Sequence, residues 1–398
     1  MDGFESRRAA AFAVAGWIET GKFAKELLPD GPCRSFAQDL AYTAIRRKRA
    51  LEFSLKRFVK SRPDPETEAI LLVGAAQMLF MPEVPAYAAV AATVEAAKRC
   101  GKGKAGFVNA VLRNMIRSRD AVSAALAAAA PDVRESFPAP LYRRWKSRYG
   151  EEGALEIMRW HNLPAETFLA YPGGRFEKLP RAQKVSDAEG YGEGRFIVQD
   201  PGTALAVELV DPKPGEKILD LCAAPGGKTV QMAWRGADVT ACEVNPARRE
   251  RLLANLARAG LSLKVVASPG ECASGEWDKI LVDAPCGNTG VIRRRPEARW
   301  SWSEKKMESL VAIQSEILDK AASLVRSGGA IVYSTCSNEL EENSMQTASF
   351  LSRHPGFTLK EERENVPHLS RTDGSYAALL ELRDSRFTAD ASKFSSPR

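Results

Sequence analysis

The chain has 398 residues, with 57 Lys+Arg against 50 Asp+Glu, and is 44% hydrophobic and 27% charged. At ~100–200 residues per domain this predicts two or three domains, each able to bury a core. No stretch approaches the ~18–20 uninterrupted apolar residues a membrane helix requires, so a helical membrane span is excluded. The net charge of +7 is unevenly spread: residues 1–150 hold 25 Lys+Arg and 15 Asp+Glu, a balance of +10, which leaves −3 for the remainder. The first part is therefore the expected polyanion contact. Its basic clusters are Arg46, Arg47, Lys48 and Arg49 with Lys56, Arg57 and Lys60, then Lys98, Arg99, Lys102 and Lys104, then Arg113, Arg117 and Arg119. A solvated helical surface is the ordinary alternative for any one of them.

The run Ala9–Ile18 follows two arginines like a secretion signal, but leads into Glu19 and Lys22 without a small-residue cleavage site, so it reads as the buried face of a first helix. Apolar residues in Phe36–Ala44, Leu51–Val59, Ile70–Met81 and Phe107–Ile116 recur at three-to-four-residue spacing, which predicts an all-helical domain over residues 1–130. The Ala-rich stretch Ala121–Ala130 reads as a linker helix, and Pro131, Pro138 and Pro140 mark a boundary. Residues 131–195 read as a linker and accessory segment, irregular after 140.

From Phe196 the texture changes. Short apolar runs at Lys217–Leu221, Asp238–Glu243, Leu263–Ala267, Lys279–Asp283 and Ala330–Ser334 alternate with helical patterns such as Pro246–Ala259 and Trp302–Val325. That alternation predicts a doubly wound, mostly parallel α/β sheet over residues 196–385, with residues 386–398 as a loose tail. In such a sheet the ligand lies beyond the carboxyl ends of the strands, where the strand order reverses.

The first of these strands ends in Asp220-Leu221-Cys222-Ala223-Ala224-Pro225-Gly226-Gly227-Lys228-Thr229. Small residues and two glycines allow a sharp turn close to a ligand, and the next helix offers its unpaired N–H groups. The next strand ends at Glu243, close to the ~20-residue offset of an acid that binds a ribose. An adenosine-containing cofactor is expected. The pattern is neither G-x-G-x-x-G nor a P-loop.

Two further strand ends carry Asp283-Ala284-Pro285-Cys286 and Ser334-Thr335-Cys336-Ser337. In a parallel sheet they share the edge with the first, so two thiols and a carboxylate are expected around one crevice. Buried structural cysteines would be the alternative, and Cys33, Cys100, Cys242 and Cys272 are expected to be core or incidental. Seven scattered cysteines with no C-x-x-C spacing argue against disulfides and against a zinc site, and the three histidines (His161, His354, His368) sit near no metal motif. No metal is expected, and the compartment is expected to be reducing.

Leu219–Thr229, Asp283–Gly290 and Tyr333–Ser337 resemble the signature blocks of the Sun/Fmu family of RNA cytosine-5-methyltransferases, and Arg195–Asp200 resembles the family's entry to its catalytic core. Val84–Glu95 and Gly106–Arg113 resemble the NusB-type RNA-binding domain of the bacterial RsmB branch. The resemblance spans nearly the whole chain. It implies an α/β Rossmann-like methyltransferase preceded by an all-α NusB-like domain. It further implies S-adenosylmethionine as cofactor and a cytosine of small-subunit ribosomal RNA as substrate; the reducing compartment is expected to be the cytoplasm, and a monomer that engages neither membrane nor metal is expected. The cofactor-binding residues it carries over are Cys222, Ala223, Ala224, Pro225, Gly226, Gly227, Lys228, Glu243, Arg248 and Asp283.

Carbon 5 of cytosine is a poor nucleophile unless a thiolate first adds to carbon 6, and a second acid/base group then has a purpose in releasing the product. Spacing leaves open which thiol does which. The resemblance implies Cys336 as nucleophile and Cys286 in release, with Asp283 on the cytosine edge and Lys228 supporting that network. This chain departs from the family at Gly287-Asn288, where Ser and a small residue are usual, at Ser268-Pro269-Gly270, where an acid is expected, at Gly374-Ser375-Tyr376, and at Phe168–Gly173. A transfer-RNA substrate, a non-catalytic ribosome-assembly factor and DNA modification are the competing readings.

Overall fold

Pro65 and Asp64 show how the first half folds locally. Asp64 caps the helix Pro65–Phe80 by accepting from the Thr67 backbone N–H at 3.1 Å, and Pro65 occupies the first turn, where its missing N–H costs nothing. The helix is buried on nearly every side, from Thr67 to Met78. Gly74 lets the helix Lys104–Arg117 come close: a Cβ there would lie 2.7 Å from Leu112 Cδ1. Helices Gly3–Thr20, Arg34–Arg46 and Ala86–Lys98 complete the packing, and the Ala9–Ile18 run supplies buried Ala10, Ala13, Val14 and Trp17 as expected.

The computed structural model describes residues 3–101, 103–181 and 183–384; Lys102 and the expected tail 386–398 lie outside them. The chain divides into two units. One runs to Leu163 and takes in Arg295–Ser301; the other holds Pro164–Arg294 and the chain from Trp302 onward. The segment 131–195 is thus shared between them. Its first part is not irregular after residue 140: Ala139–Asn162 is helical, with a break at Gly150 (φ 74°). Trp145 is buried there beside Phe137, at 5.5 Å between ring centroids. In the same unit the buried Arg299 donates to the carbonyls of Arg46 and Ser136 and to Asn162 Oδ1, each at 3.0 Å.

The densest basic cluster also needs correcting. Arg46 is buried, Arg49 pairs with Asp132 at 2.6 Å, Arg47 lies 3.8 Å from Glu135 and over the Phe80 ring, and Lys48 pairs with Glu52. These cations are spent inside the unit. Lys56, Arg57, Lys60, Lys98, Arg99, Arg113, Arg117 and Arg119 are exposed.

In the second unit, strands β1 (Phe168–Ala170), β2 (Phe176–Lys178) and β3 (Ile197–Val198) form a small antiparallel sheet in the order β2-β1-β3. The main sheet holds β4 (Lys217–Asp220), β5 (Asp238–Cys242), β6 (Lys264–Val266), β7 (Trp277–Asp283), β8 (Val325–Thr335), β9 (Phe357–Asn365) and β10 (Ser375–Leu382). Its order is β6-β5-β4-β7-β8-β10-β9, parallel from β6 to β8, with β10 antiparallel to both neighbours. Helices Gly227–Trp234, Pro246–Arg258 and Glu304–Leu324 connect the parallel strands. The chain winds outward from β4 through β5 to β6, then returns to β7 and winds the other way to β8. The order therefore reverses between β4 and β7, and the ends of these two strands open the crevice expected of such a sheet.

Candidate active site

At the end of β4, Asp220 is buried and accepts from Thr229 Oγ1 at 2.7 Å; burial pushes its carboxyl up to about 7. Beyond it the chain crosses toward β5, where the Ala223 N–H meets the Cys242 carbonyl at 3.0 Å. It then turns at Gly226 (φ 105°), a left-handed conformation that residues with a side chain rarely adopt. The helix Gly227–Trp234 starts there with its N–H groups facing outward from the turn. Arg248 braces this turn: it donates to the Ala224 carbonyl at 3.1 Å and lies 3.4 Å from Glu243 Oε2. Asn255 holds the Pro225 carbonyl at 2.8 Å. Burial pushes the Cys222 thiol well up, so it stays protonated.

These residues fit an adenosyl cofactor by their donor set. Glu243 is a nearly buried carboxylate beside the turn, and the helix supplies unpaired N–H groups. Gln199 is a further candidate that sequence reasoning had placed only within an entry segment. Its Oε1 is buried without a hydrogen-bond partner among the described residues, beside Gly227.

The catalytic candidates come together at the ends of β4, β7 and β8. Lys228 Nζ lies 2.6 Å from Asp283 Oδ2. Burial works against the Lys228 ammonium, but Asp283, with Cys336 and Asp220 behind it, outweighs burial and holds the group above its ordinary value. Cys286 and Cys336 meet with their sulfurs 3.2 Å apart. The contact with Cys336, then burial, raises the Cys286 thiol well above its usual range. Cys242 and Cys272 are buried in the sheet's core, while Cys33 and Cys100 lie in the helical unit.

Two residues that carry no sequence signal organise these loops. Glu342, buried, accepts from the Gly287 N–H at 2.8 Å, from Gln314 Nε2 at 3.1 Å and from Ser337 Oγ, and so ties the Cys286 loop to the Cys336 loop. Arg294 donates to Asp200, to Asp373 Oδ2 at 2.5 Å and to the Glu166 carbonyl at 2.7 Å. The Gly290 N–H binds the Cys336 carbonyl at 3.0 Å, and the Gly374 N–H binds the Gly290 carbonyl at 2.9 Å, so the Arg294 clamp holds the same loop from its far end. Among the described residues no group of His, Cys, Asp and Glu is arranged to hold a metal ion, and no helix is long and apolar enough to cross a membrane.

Residues 207–381 match the family model of the 16S rRNA methyltransferase RsmB/F, and residues 5–117 match that of the NusB family. The ribosomal RNA small subunit methyltransferase B of Serratia proteamaculans (strain 568) is 31% identical over 427 residues, covering 95% of this chain and 98% of that protein. Its namesake in Citrobacter koseri is 32% identical over 423 residues, covering 94% and 98%. Among solved structures, PH0851 superposes with a TM-score of 0.79 at 24% identity over 95% of this chain and 98% of that one. NSun6 from Pyrococcus horikoshii with SFG gives 0.53 at 19% identity, over 62% and 99%. These two likenesses are of fold. With about a third of its residues shared along nearly the full length of the curated relatives, and with the strand-end turns of a methyltransferase sheet, this chain belongs to the RsmB/F family of ribosomal RNA methyltransferases.

Proposed function

We propose that this protein uses S-adenosylmethionine to form 5-methylcytosine in small-subunit ribosomal RNA through a covalent bond between Cys336 and the target base. The observation that carries the reading is the meeting of two thiols from separate strand ends, 3.2 Å apart, with the Lys228–Asp283 pair close to Cys336. When bound at the Cys222–Lys228 turn, S-adenosylmethionine supplies an electrophilic sulfonium methyl group.

The Cys336 thiolate adds to carbon 6 of the cytosine, and the electron pair of the 5,6 double bond becomes available at carbon 5, which takes the methyl. Asp283 accepts from the amino group on the cytosine edge and so orients the base, while Lys228, 2.6 Å from Asp283, sets a positive charge that favours the negative charge developing on the ring. Solvent water takes the carbon 5 proton, the electron pair of that bond restores the 5,6 double bond, and the bond from carbon 6 to Cys336 breaks with its pair left on the sulfur as thiolate. Cys286, held neutral beside Cys336, assists this release. A base in a stacked helix is out of reach, so the target is unpaired or flipped.

The exposed cations of the helical unit neutralise RNA phosphates. Free cysteines throughout fit a reducing cytoplasm, where the protein acts as a monomer. The test is radiolabelled methyl transfer to ribosomal RNA from a deletion strain, with the product located by bisulfite sequencing. A single cytosine in the small-subunit RNA is expected. Incorporation into transfer RNA, into DNA or into another base refutes the assigned substrate.

A further inference from the structure

The loop after Cys286 departs from the family at Gly287-Asn288, and Asn288 stands against the proposed nucleophile. It adopts a left-handed conformation, φ 58°, which asparagine tolerates better than most residues with a side chain. Its Nδ2 donates to the Cys286 carbonyl at 2.8 Å. That contact sets the orientation of the amide, because a carbonyl only accepts, and so Oδ1 is the atom 3.3 Å from Cys336 Sγ. Oδ1 also only accepts, which makes the Cys336 thiol the donor. A thiol has one proton. With that of Cys336 aimed at Asn288, the sulfur–sulfur contact has Cys286 as its donor. The result is a directed relay from Cys286 through Cys336 to Asn288.

We propose that Asn288 is a positioning residue that holds Cys336 as an oriented, protonated thiol in the RNA-free protein. A thiolate there would face the negative end of the amide dipole, so releasing the proton requires the amide to turn or the loop to shift. The loop has little freedom to drift by itself, since Glu342 holds the Gly287 N–H on one side and Ser337 on the other. Lys228, from the helix after β4, faces Cys336, with Asp283 and Asp220 beside that lysine, and Cys286 has Glu342 and the buried Tyr333 behind it. Asn288 adds a neutral dipole whose direction is fixed by a second bond. The inference rests on the reading of Cys336 as nucleophile given above.

The test is alkylation of the full chain by iodoacetamide without RNA, followed at the Cys336 peptide by mass spectrometry between pH 6 and 9. Asn288→Gly suits the left-handed backbone and removes the acceptor; Asn288→Asp keeps the shape and sets a carboxylate against the sulfur. At pH 7 the glycine variant is expected to react about fivefold faster, the loss of one ordinary hydrogen bond, with its profile displaced toward acid. The aspartate variant is expected to react slower by a similar factor. A purely structural role would not move the two variants in opposite directions. Rates within twofold of the native chain, or shifts of the same sign, overturn the proposal. Methyl transfer by Cys336→Ala separates it from the reading beneath: turnover in that variant refutes Cys336 as nucleophile but leaves the alkylation order intact.

Discussion

Replacing Arg294 with Met tests the clamp that holds the Cys286 loop. The guanidinium serves two carboxylates, those of Asp200 and Asp373, whose side chains are only 5% and 4% exposed, and it also binds the Glu166 carbonyl. Breaking one buried pair by removing a partner costs about 3–5 kcal/mol, and here two carboxylates are left facing each other, which places the loss at the upper end. At roughly 2–4 °C per kcal/mol for a unit of this size, Tm is expected to fall by about 10–20 °C at pH 7.5. Burial already pushes Asp373 up to about 6 against the pull of Arg294. Without the cation, Asp373 favours its neutral form more strongly still, with a folded-state pKa further above the unfolded value of ~3.9. Stability from this group is then fully present below that value and lost as the pH rises. The gap between native and variant chains should therefore narrow from pH 7.5 to pH 5, as followed by near-ultraviolet circular dichroism on heating. A fall in Tm of less than about 3 °C at pH 7.5, or a gap that widens toward acid, refutes the reasoning.

Lys228→Met removes the ammonium held 2.6 Å from Asp283 and should lower kcat by about 10²–10³-fold with little change in KM, measured by steady-state methyl transfer; a fall below threefold contradicts its role. Asp220, raised by burial to about 7, contributes stability that is complete below pH ~3.9 and lost as the pH rises through 7. Urea unfolding should show Asp220→Asn with a flatter pH dependence than the native chain between pH 4 and 7.5. RNA affinity should fall with salt at a slope of about −0.7 per phosphate contact. Changing exposed Arg113 and Arg117 to Gln should make that slope shallower by about 1.4, and an unchanged slope removes these residues from the interface.

Strand ends were legible because they join two local signals, an apolar run and the residues immediately beyond it. Cys286 and Cys336 were found that way, as were Asp283 and the Gly226-Gly227 turn. Direction of a side chain was not legible: Arg46 belongs to the densest basic run and is nevertheless buried, because its place on the helix Arg34–Arg46 turns it inward. The helix Ala139–Asn162 was masked by its mixed charges and by the break at Gly150. β9 escaped because an edge strand keeps itself soluble with charges, Lys360-Glu361-Glu362-Arg363-Glu364, that erase the alternation. Glu342, Arg294 and Gln199 left no trace in spacing, since their partners lie elsewhere in the chain and only the folded sheet brings them together.

The most direct measurement is the Cys286→Ala variant incubated with its RNA and S-adenosylmethionine, then run on a denaturing gel. The account requires a protein–RNA band that carries the labelled methyl and disappears when Cys336 is also replaced by Ala. A band that persists in the double variant, or ordinary turnover by Cys336→Ala alone, would contradict it.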